Sequence, residues 1–305
     1  MADAETRALL PAMMEARDQF MRLVDELRPE LHRYCARMTG SVFDGEDVVQ
    51  DALAKAYFAL GQMLEPPNLK PWLFRIAHNT ALDYLRRYER VHVDIVSDVP
   101  ERADKDEAEG AVDPELVEAA LTVFVELAPL QRGALILKDV LGHSLAETAD
   151  TLGISVGAVK AALSRGRANI ARTLRSEKVG SPRSASAEER ALLRRYVEMF
   201  NDRNWDALRA LIGEETQLDV VSRFQRRAAT AGYYDRYAKY LQSEEIRAEA
   251  GSVDGLPAIA MFSPPSSDKP AYFVLLGSKG RLISLIRDFR YVPYIASEAR
   301  FSPDR

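Results

Sequence analysis

The sequence predicts a multi-domain protein: two all-α helical domains followed by an α+β domain. Three observations carry this. Residues 18–90 hold three amphipathic helical stripes, residues 144–175 read as two helices around a glycine corner, and short apolar strand patterns begin beyond residue 210. A chain of 305 residues is also long for one core and suggests two or three domains.

Composition narrows the class. With 47% apolar and 29% charged residues the chain resembles an ordinary soluble protein. Its net charge of −5 excludes a uniformly basic nucleic-acid coat, so any DNA binding needs charge gathered on one face. Cys35 is the only cysteine, which rules out an internal disulfide and a multi-thiolate zinc site. No cofactor is implied. There is no long apolar run and no basic-then-apolar leader, so a cytoplasmic protein without membrane contact is expected.

Phe20, Leu23, Val24, Leu27, Leu31, Tyr34, Cys35 and Met38 recur at three and four residue steps and predict a helix over 18–38, ended by Thr39-Gly40. Asp44 is a suitable cap for a second helix, with Val48, Val49, Leu53, Ala56, Tyr57 and Leu60 facing inward. Glu46, Asp47, Gln50 and Asp51 then form an acidic face suited to a basic partner. After Pro66-Pro67, Pro71 opens a third helix. Its inner face holds Trp72, Leu73, Ile76, Ala77, Ala81, Tyr84 and Leu85. Arg75, His78, Asn79, Asp83, Arg86, Arg87 and Arg90 crowd the other side, where basic residues can grip phosphates and stack on unpaired bases.

Residues 144–175 carry the clearest motif. Ser144 and Glu147 form a capping box. Leu145, Thr148, Ala149 and Leu152 share a stripe, Gly153 supplies the left-handed corner, and Ile154 plugs it. Ser155 caps a second helix whose inner face is Val156, Val159, Leu163 and Ile170. Lys160, Arg165, Arg167, Arg172 and Arg175 lie outside, with no acid between Asp150 and Glu177. Two helices on a short turn, the second basic, suit insertion into a major groove. A merely solvated basic helix is the plainer alternative.

The run Glu46-Asp47-Val48-Val49-Gln50-Asp51-Ala52-Leu53 resembles region 2 of extracytoplasmic-function (ECF) sigma factors. Pro71-Trp72-Leu73-Phe74-Arg75-Ile76-Ala77-His78-Asn79, followed by Asp83, Leu85 and Arg86, is similar to their promoter-melting helix. Leu127-Ala128-Pro129-Leu130-Gln131-Arg132 and the helix-turn-helix resemble their region 4. The resemblance implies that Asp47, Gln50 and Asp51 face core RNA polymerase. It implies that Asn79, Asp83, Arg86, Arg87 and Arg90 engage the −10 strand, and that Ser155, Val156, Lys160, Ser164 and Arg165, with Arg167 and Arg172 nearer phosphates, meet the −35 duplex of promoter DNA. Two departures stand out: Ala161-Ala162 where the family often has Ser-Arg, and Gly166 inside the helix at about 1 kcal/mol relative to Ala. Weak −35 contacts, leaning on phosphates and DNA shape, are therefore expected.

Between these blocks, residues 94–118 carry ten acids against Arg102 and Lys105, which reads as a solvated connector. Residues 176–187, rich in Ser with Gly180 and Pro182, mark a second boundary. The resulting domains are 1–93 (region 2), 94–115 (acidic linker), 116–176 (region 4), 177–188 (Ser/Pro linker) and 189–305.

The last domain starts with helical faces at Leu192, Leu193, Tyr196, Val197, Phe200 and at Trp205, Leu208, Leu211, Ile212. A strand at Gln217–Val221, a tyrosine-rich helix at Tyr233–Leu241, and strands at Ala258–Phe262, Ala271–Leu276 and Leu282–Tyr291 follow. This order, with the Phe200–Trp205 corner, resembles a SnoaL-like cone. Relatives of that fold do acid–base chemistry, but all four histidines lie before residue 144, leaving Asp219, Asp288 and tyrosines such as Tyr234 to line a pocket. The fusion itself and the two flexible linkers lead us to expect a regulatory module packed on regions 2 and 4 within the same chain. The alternatives are a ligand-gated regulator or small-molecule enzyme centred on that pocket, or an ordinary helix-turn-helix regulator, which leaves the first two blocks unexplained.

Overall fold

The computed structural model describes residues 2–60, 62, 68–91, 121–175, 186–221, 226–228, 232–242, 245–280 and 282–304. Most of both predicted linkers lies outside these residues. The chain divides into two compact units: Met1–Thr39, Asp44–Glu118 and Leu127–Ala168 form the first, and Gly40–Phe43, Ala119–Glu126 and Asn169–Arg305 the second. No described helix is long and apolar enough to cross a membrane.

The first unit is helical: α1 (Ala2–Thr39), α2 (Val42–Leu60, its Val42 and Phe43 in the second unit), α3 (Leu69–Val91), α4 (Leu121–Val125, assigned to the second unit), α5 (Pro129–Leu135), a π-helical turn at Ile136–Val140, α6 (Leu145–Leu152) and α7 (Val156–Arg175, its residues from Asn169 on in the second unit). The predicted stripes form its core, with Leu31, Tyr34, Cys35, Met38, Val49, Leu73, Phe74 and Ala77 excluded from water. Three expectations fail. Glu46 is fully buried and paired with Arg28, so it leaves the acidic face. Tyr57, expected inside, is 44% exposed. His78, expected outside, is buried, 2.7 Å from the Tyr34 hydroxyl.

The helix-turn-helix forms as expected. Ser144 and Glu147 make a reciprocal capping box, and Gly153 sits at φ 69°. Ser155 Oγ accepts from Ala158 N at 3.2 Å, capping α7. Val159, Ala162, Leu163 and Ile170 are buried, whereas Val156 is 41% exposed rather than inward. Gly166 has a packing reason: a Cβ there would lie 2.7 Å from Leu135 Cδ1, so only glycine lets α7 approach α5 this closely.

The second unit is built on a mixed seven-stranded sheet: β1 (Ile212–Val220), β2 (Arg226–Ala228), β3 (Arg247–Val253), β4 (Leu256–Phe262), β5 (Tyr272–Lys279), β6 (Leu282–Asp288) and β7 (Phe301–Pro303). The spatial order is β2-β1-β6-β5-β4-β3-β7, with β1 and β6 parallel and the other pairs antiparallel. Helices α8 (Ala187–Asn201), α9 (Trp205–Ala210) and α10 (Tyr233–Tyr240) precede or interrupt it, and α11 (Tyr294–Glu298) follows it. Leu193, Tyr196, Phe200, Leu208, Tyr233, Tyr234 and Tyr237 pack on Ile259, Met261, Tyr272, Val274 and Ile286. The Phe200–Trp205 corner has a physical basis. Asn201 exchanges two hydrogen bonds with the Ala248 backbone, at 3.0 and 2.9 Å, fastening α8 to β3. Asn204 then caps α9 through Ala207 N at 3.1 Å. The opposite sheet face is also covered: within this unit, Phe43 packs against Phe289 and Phe273, with ring centroids 4.8 and 6.0 Å apart.

Candidate nucleic-acid interface

On α7, Ser155, Val156, Lys160, Ser164 and Arg172 are exposed and Arg165 is half-buried. The inner face of that helix is closed by aliphatic packing, so its polar residues line the outward side. Arg167 departs from its predicted phosphate role. Its guanidinium is engaged by Asp139 through two bonds of 2.9 Å, bracing α7 against the π-helical turn. The side chain of Arg175 lies outside the described residues.

On α3, Asn79, Asp83, Arg86 and Arg87 are exposed, at spacings that put them on one helical face. Asp83 lies between Lys55, at 3.8 Å, and Arg86, at 3.6 Å, and its carbonyl accepts from Arg87 Nε at 3.3 Å. The Arg90 side chain lies outside the described residues. On α2, Asp51 is exposed, while Asp47 and Gln50 are half-buried. Gln50 Nε2 donates to Glu46 Oε1 at 3.1 Å, so the buried Arg28–Glu46 pair orients it. Sequence reading missed a neighbour on this helix: Tyr57 and Phe58 form an edge-to-face pair, with Phe58 73% exposed. The signal was present, since two consecutive aromatics cannot both face one side of a helix.

Within the first unit, α3 and the helix-turn-helix are fastened together. Arg75 of α3 donates to the carbonyl and the carboxylate of Asp150 on α6, each at 2.6 Å. Glu30 of α1 is bonded to His143 Nε2 at 3.1 Å and to Lys70 Nζ at 2.9 Å; burial pushes its pKa up, but these two partners outweigh it and hold it below the usual value. Arg132 of α5 is buried and donates to the Met38 carbonyl, near the end of α1, and to Leu127 O at 2.9 Å. His78 and Tyr34 lie beside Gly133 of α5, where an added Cβ would be 3.4 and 3.1 Å from them.

The predicted pocket of the last domain does not assemble. In the register of β1 and β6, Asp219 pairs with Arg287 and Val220 with Asp288. Successive strand residues face opposite sides, so Asp219 and Asp288 are on opposite faces of the sheet. Asp288 is buried; Oδ2 accepts from Tyr233 and Tyr237, at 3.0 and 2.8 Å, and Oδ1 from Arg290 N at 3.0 Å. Burial raises its pKa, and these bonds oppose the rise. Tyr234 is buried against Tyr196 and Trp205, and burial raises its pKa too. Asp288 therefore fastens α10 to β6, its oxygens occupied by protein donors. A cleft of about 480 Å³ lies elsewhere, lined by Glu188, Ala191, Leu192, Arg195, Ser278 and Gly280.

Comparison with known proteins agrees with the helical geometry. Residues 23–91 match Sigma-70 region 2, and residues 118–170 match Sigma-70, region 4. The chain is 30% identical over 277 residues to the ECF RNA polymerase sigma factor SigG of Mycobacterium tuberculosis, covering 81% of this chain and 74% of that one. It is 29% identical over 175 residues to ECF RNA polymerase sigma factor SigW of Bacillus subtilis, covering 52% and 90%. Among solved structures, the sigma factor RpoE in complex with the anti-sigma factor NepR, from Bartonella quintana, aligns over 52% of this chain and 99% of its own at 26% identity, with a TM-score of 0.40. With both sigma regions in order and a SigG relative spanning most of each chain, the protein belongs to the ECF RNA polymerase sigma factors, which recognise promoters for transcription initiation.

Proposed function

We propose that this sigma factor is regulated from within: the free chain holds regions 2 and 4 in a closed form that must open on the promoter. The observation that carries this is the Arg75–Asp150 clasp between the melting helix and the helix-turn-helix. Elements near −10 and −35 are about 25 base pairs apart, roughly 85 Å at 3.4 Å per step. A compact unit of about 160 residues has a radius of gyration near 15 Å and spans roughly 40 Å. One closed unit cannot touch both elements.

In this reading Asp47, Gln50 and Asp51 meet the polymerase, and Asn79, Asp83, Arg86, Arg87 and Arg90 hold the opened −10 strand. Ser155, Val156, Lys160, Ser164, Arg165 and Arg172 meet the −35 duplex, while Arg167 braces their helix. The C-terminal domain, a SnoaL-like module by its element order, acts as the regulator. Its unit incorporates Gly40–Phe43 and Ala119–Glu126, two pieces of chain that flank the sigma helices. Tethering keeps such a contact at an effective concentration of about a millimolar, so a weak contact suffices. The occupied oxygens of Asp288 favour regulation over catalysis in this domain.

The test is run-off transcription with core RNA polymerase, using the full chain with a protease site inserted between residues 176 and 185. Cleavage after folding leaves every domain present and removes only the tether. More transcript from the cleaved form supports intramolecular inhibition. Equal transcript from both forms overturns it.

A further inference from the structure

The regulatory reading says that a contact restrains the sigma helices but not where it is made. The first turn of α2 supplies the place. The leading N–H groups of a helix lack intrahelical partners, and an acidic side chain there is favoured by the helix dipole. Val42 N–H donates to Asp254 Oδ2 at 3.1 Å, a residue 212 positions away. Asp254 occupies the two-residue turn between β3 and β4, closed by the Val253–Leu256 pair, at φ 51° with Gly255 at 79°. Both turn positions need positive φ, which glycine adopts at least cost. An aspartate in the first position gives up that ease and gains a carboxylate directed at α2.

The adjacent residue makes a second contact of a different kind. Phe43 is 1% exposed, seated against Phe289 and Phe273 within the second unit. Gly40, at φ 82°, meets Val125 closely enough that an added Cβ would lie 2.7 Å from Cγ1. Three of these four consecutive residues are thus held: Val42 by a polar cap, Phe43 by an aromatic slot and Gly40 by close contact with the Val125 side chain. They lead directly into Asp47, Gln50 and Asp51 one turn later.

We propose that Gly40–Phe43 is an autoinhibitory latch, with Asp254 as its polar catch and the Phe273–Phe289 slot as its apolar one. This rests on the regulatory reading above and locates its restraint. Loading onto core polymerase requires Asp254 to release Val42 and Phe43 to leave the slot. A signal that frees the β3–β4 turn would activate the chain without touching either DNA-binding helix.

Asp254→Gly tests the catch while favouring the turn, because glycine accepts the positive φ and only the carboxylate is removed. Asp254→Asn keeps a side-chain acceptor and a residue tolerant of that φ. In the full chain, amide exchange over residues 40–46 should quicken in Asp254→Gly, and run-off transcript at limiting core polymerase should rise about fivefold, the equilibrium change expected for one helix cap. Asp254→Asn should stay near the parent in both measurements. Phe289→Leu, which loosens the slot, should shift both in the same direction as Asp254→Gly. Faster exchange with unchanged transcript would make the contact a plain helix cap and overturn the latch. Unchanged exchange in both Asp254→Gly and Phe289→Leu would overturn it as well. If the protease-cleaved chain is activated while neither variant is, the latch fails and the regulatory reading stands; if cleavage has no effect, the regulatory reading itself fails.

Discussion

Arg75 and Asp150, one on α3 and one on α6 of the helix-turn-helix, are joined by two hydrogen bonds of 2.6 Å, one to a carbonyl and one to a carboxylate. Both side chains are about half exposed, so the pair alone contributes about 1 kcal/mol or less. Its value is as a marker of closure. Replacing both residues by cysteine and bridging them with a bismaleimide should lock the unit. The native Cys35 does not compete, being fully buried with its thiol pKa pushed up by burial. The bridged protein should lose promoter-directed initiation while the unbridged variant retains it. Equal run-off from both would show that closure is compatible with initiation.

Acid should loosen the same unit through His78. Burial lowers its pKa from near 6.5 to about 4. The folded value lies below the unfolded one, so between pH 4 and 6.5 the unfolded chain binds more protons. The stabilisation is complete above pH 6.5 and is lost as pH falls toward 4, by about 3 kcal/mol in all. A charged imidazolium can only donate to the Tyr34 hydroxyl and must shed water beneath α5, so the destabilisation concentrates where Gly133 packs. Urea titrations across this range should show the slope, and His78→Gln should flatten it. A parent protein whose stability is constant from pH 6.5 to 4 contradicts the assignment.

Two arginines of similar sequence position should behave oppositely on DNA. Arg172 is exposed, whereas Arg167 is bound by Asp139. Lys160→Ala combined with Arg172→Ala should weaken promoter binding and reduce the salt slope by about two, one for each phosphate no longer neutralised. Arg167→Ala should leave the slope nearly intact and lower stability instead, by about 2 kcal/mol, since Asp139 is left buried without its partner. Fluorescence anisotropy over a salt series separates the two. An Arg167→Ala slope change as large as that of the double variant would restore Arg167 to the phosphates.

The helical half was legible because its signals are local. Ser144, Glu147, Gly153 and Ser155 each act within four residues, and all four took their expected roles. Glu46 and His78 were misread because burial of a polar group depends on a distant partner: Arg28 is 18 residues from Glu46, and Tyr34 is 44 from His78. Strand β3 was not predicted. Its inward positions are Ala248 and Ala250, too small to register as an apolar alternation, and its place is set by Asn201 from a separate helix. The pocket of Asp219 and Asp288 failed for a reason of register, since the two fall on opposite sheet faces. Register is a relation between two strands, which the alternation within either one does not state.

Gly166 separates local from tertiary reasoning most sharply. On helix propensity alone, Gly166→Ala should stabilise α7 by about 1 kcal/mol. The new Cβ, however, would lie 2.7 Å from Leu135 Cδ1 and 3.1 Å from its Cγ, with Gln131 Cβ at 3.5 Å. Leu135 is wholly buried, so its side chain has no open space to swing into, and overpacking of this kind costs about 1–3 kcal/mol. The net expectation is destabilisation of about 1 kcal/mol. Because the strain falls between α5 and α7, it should also tilt the basic helix and weaken duplex binding beyond what reduced stability explains. Thermal melts with promoter titrations below the melting range check both effects. A Gly166→Ala protein that melts higher than the parent would mean that α7 and α5 are less tightly packed than Leu135 indicates.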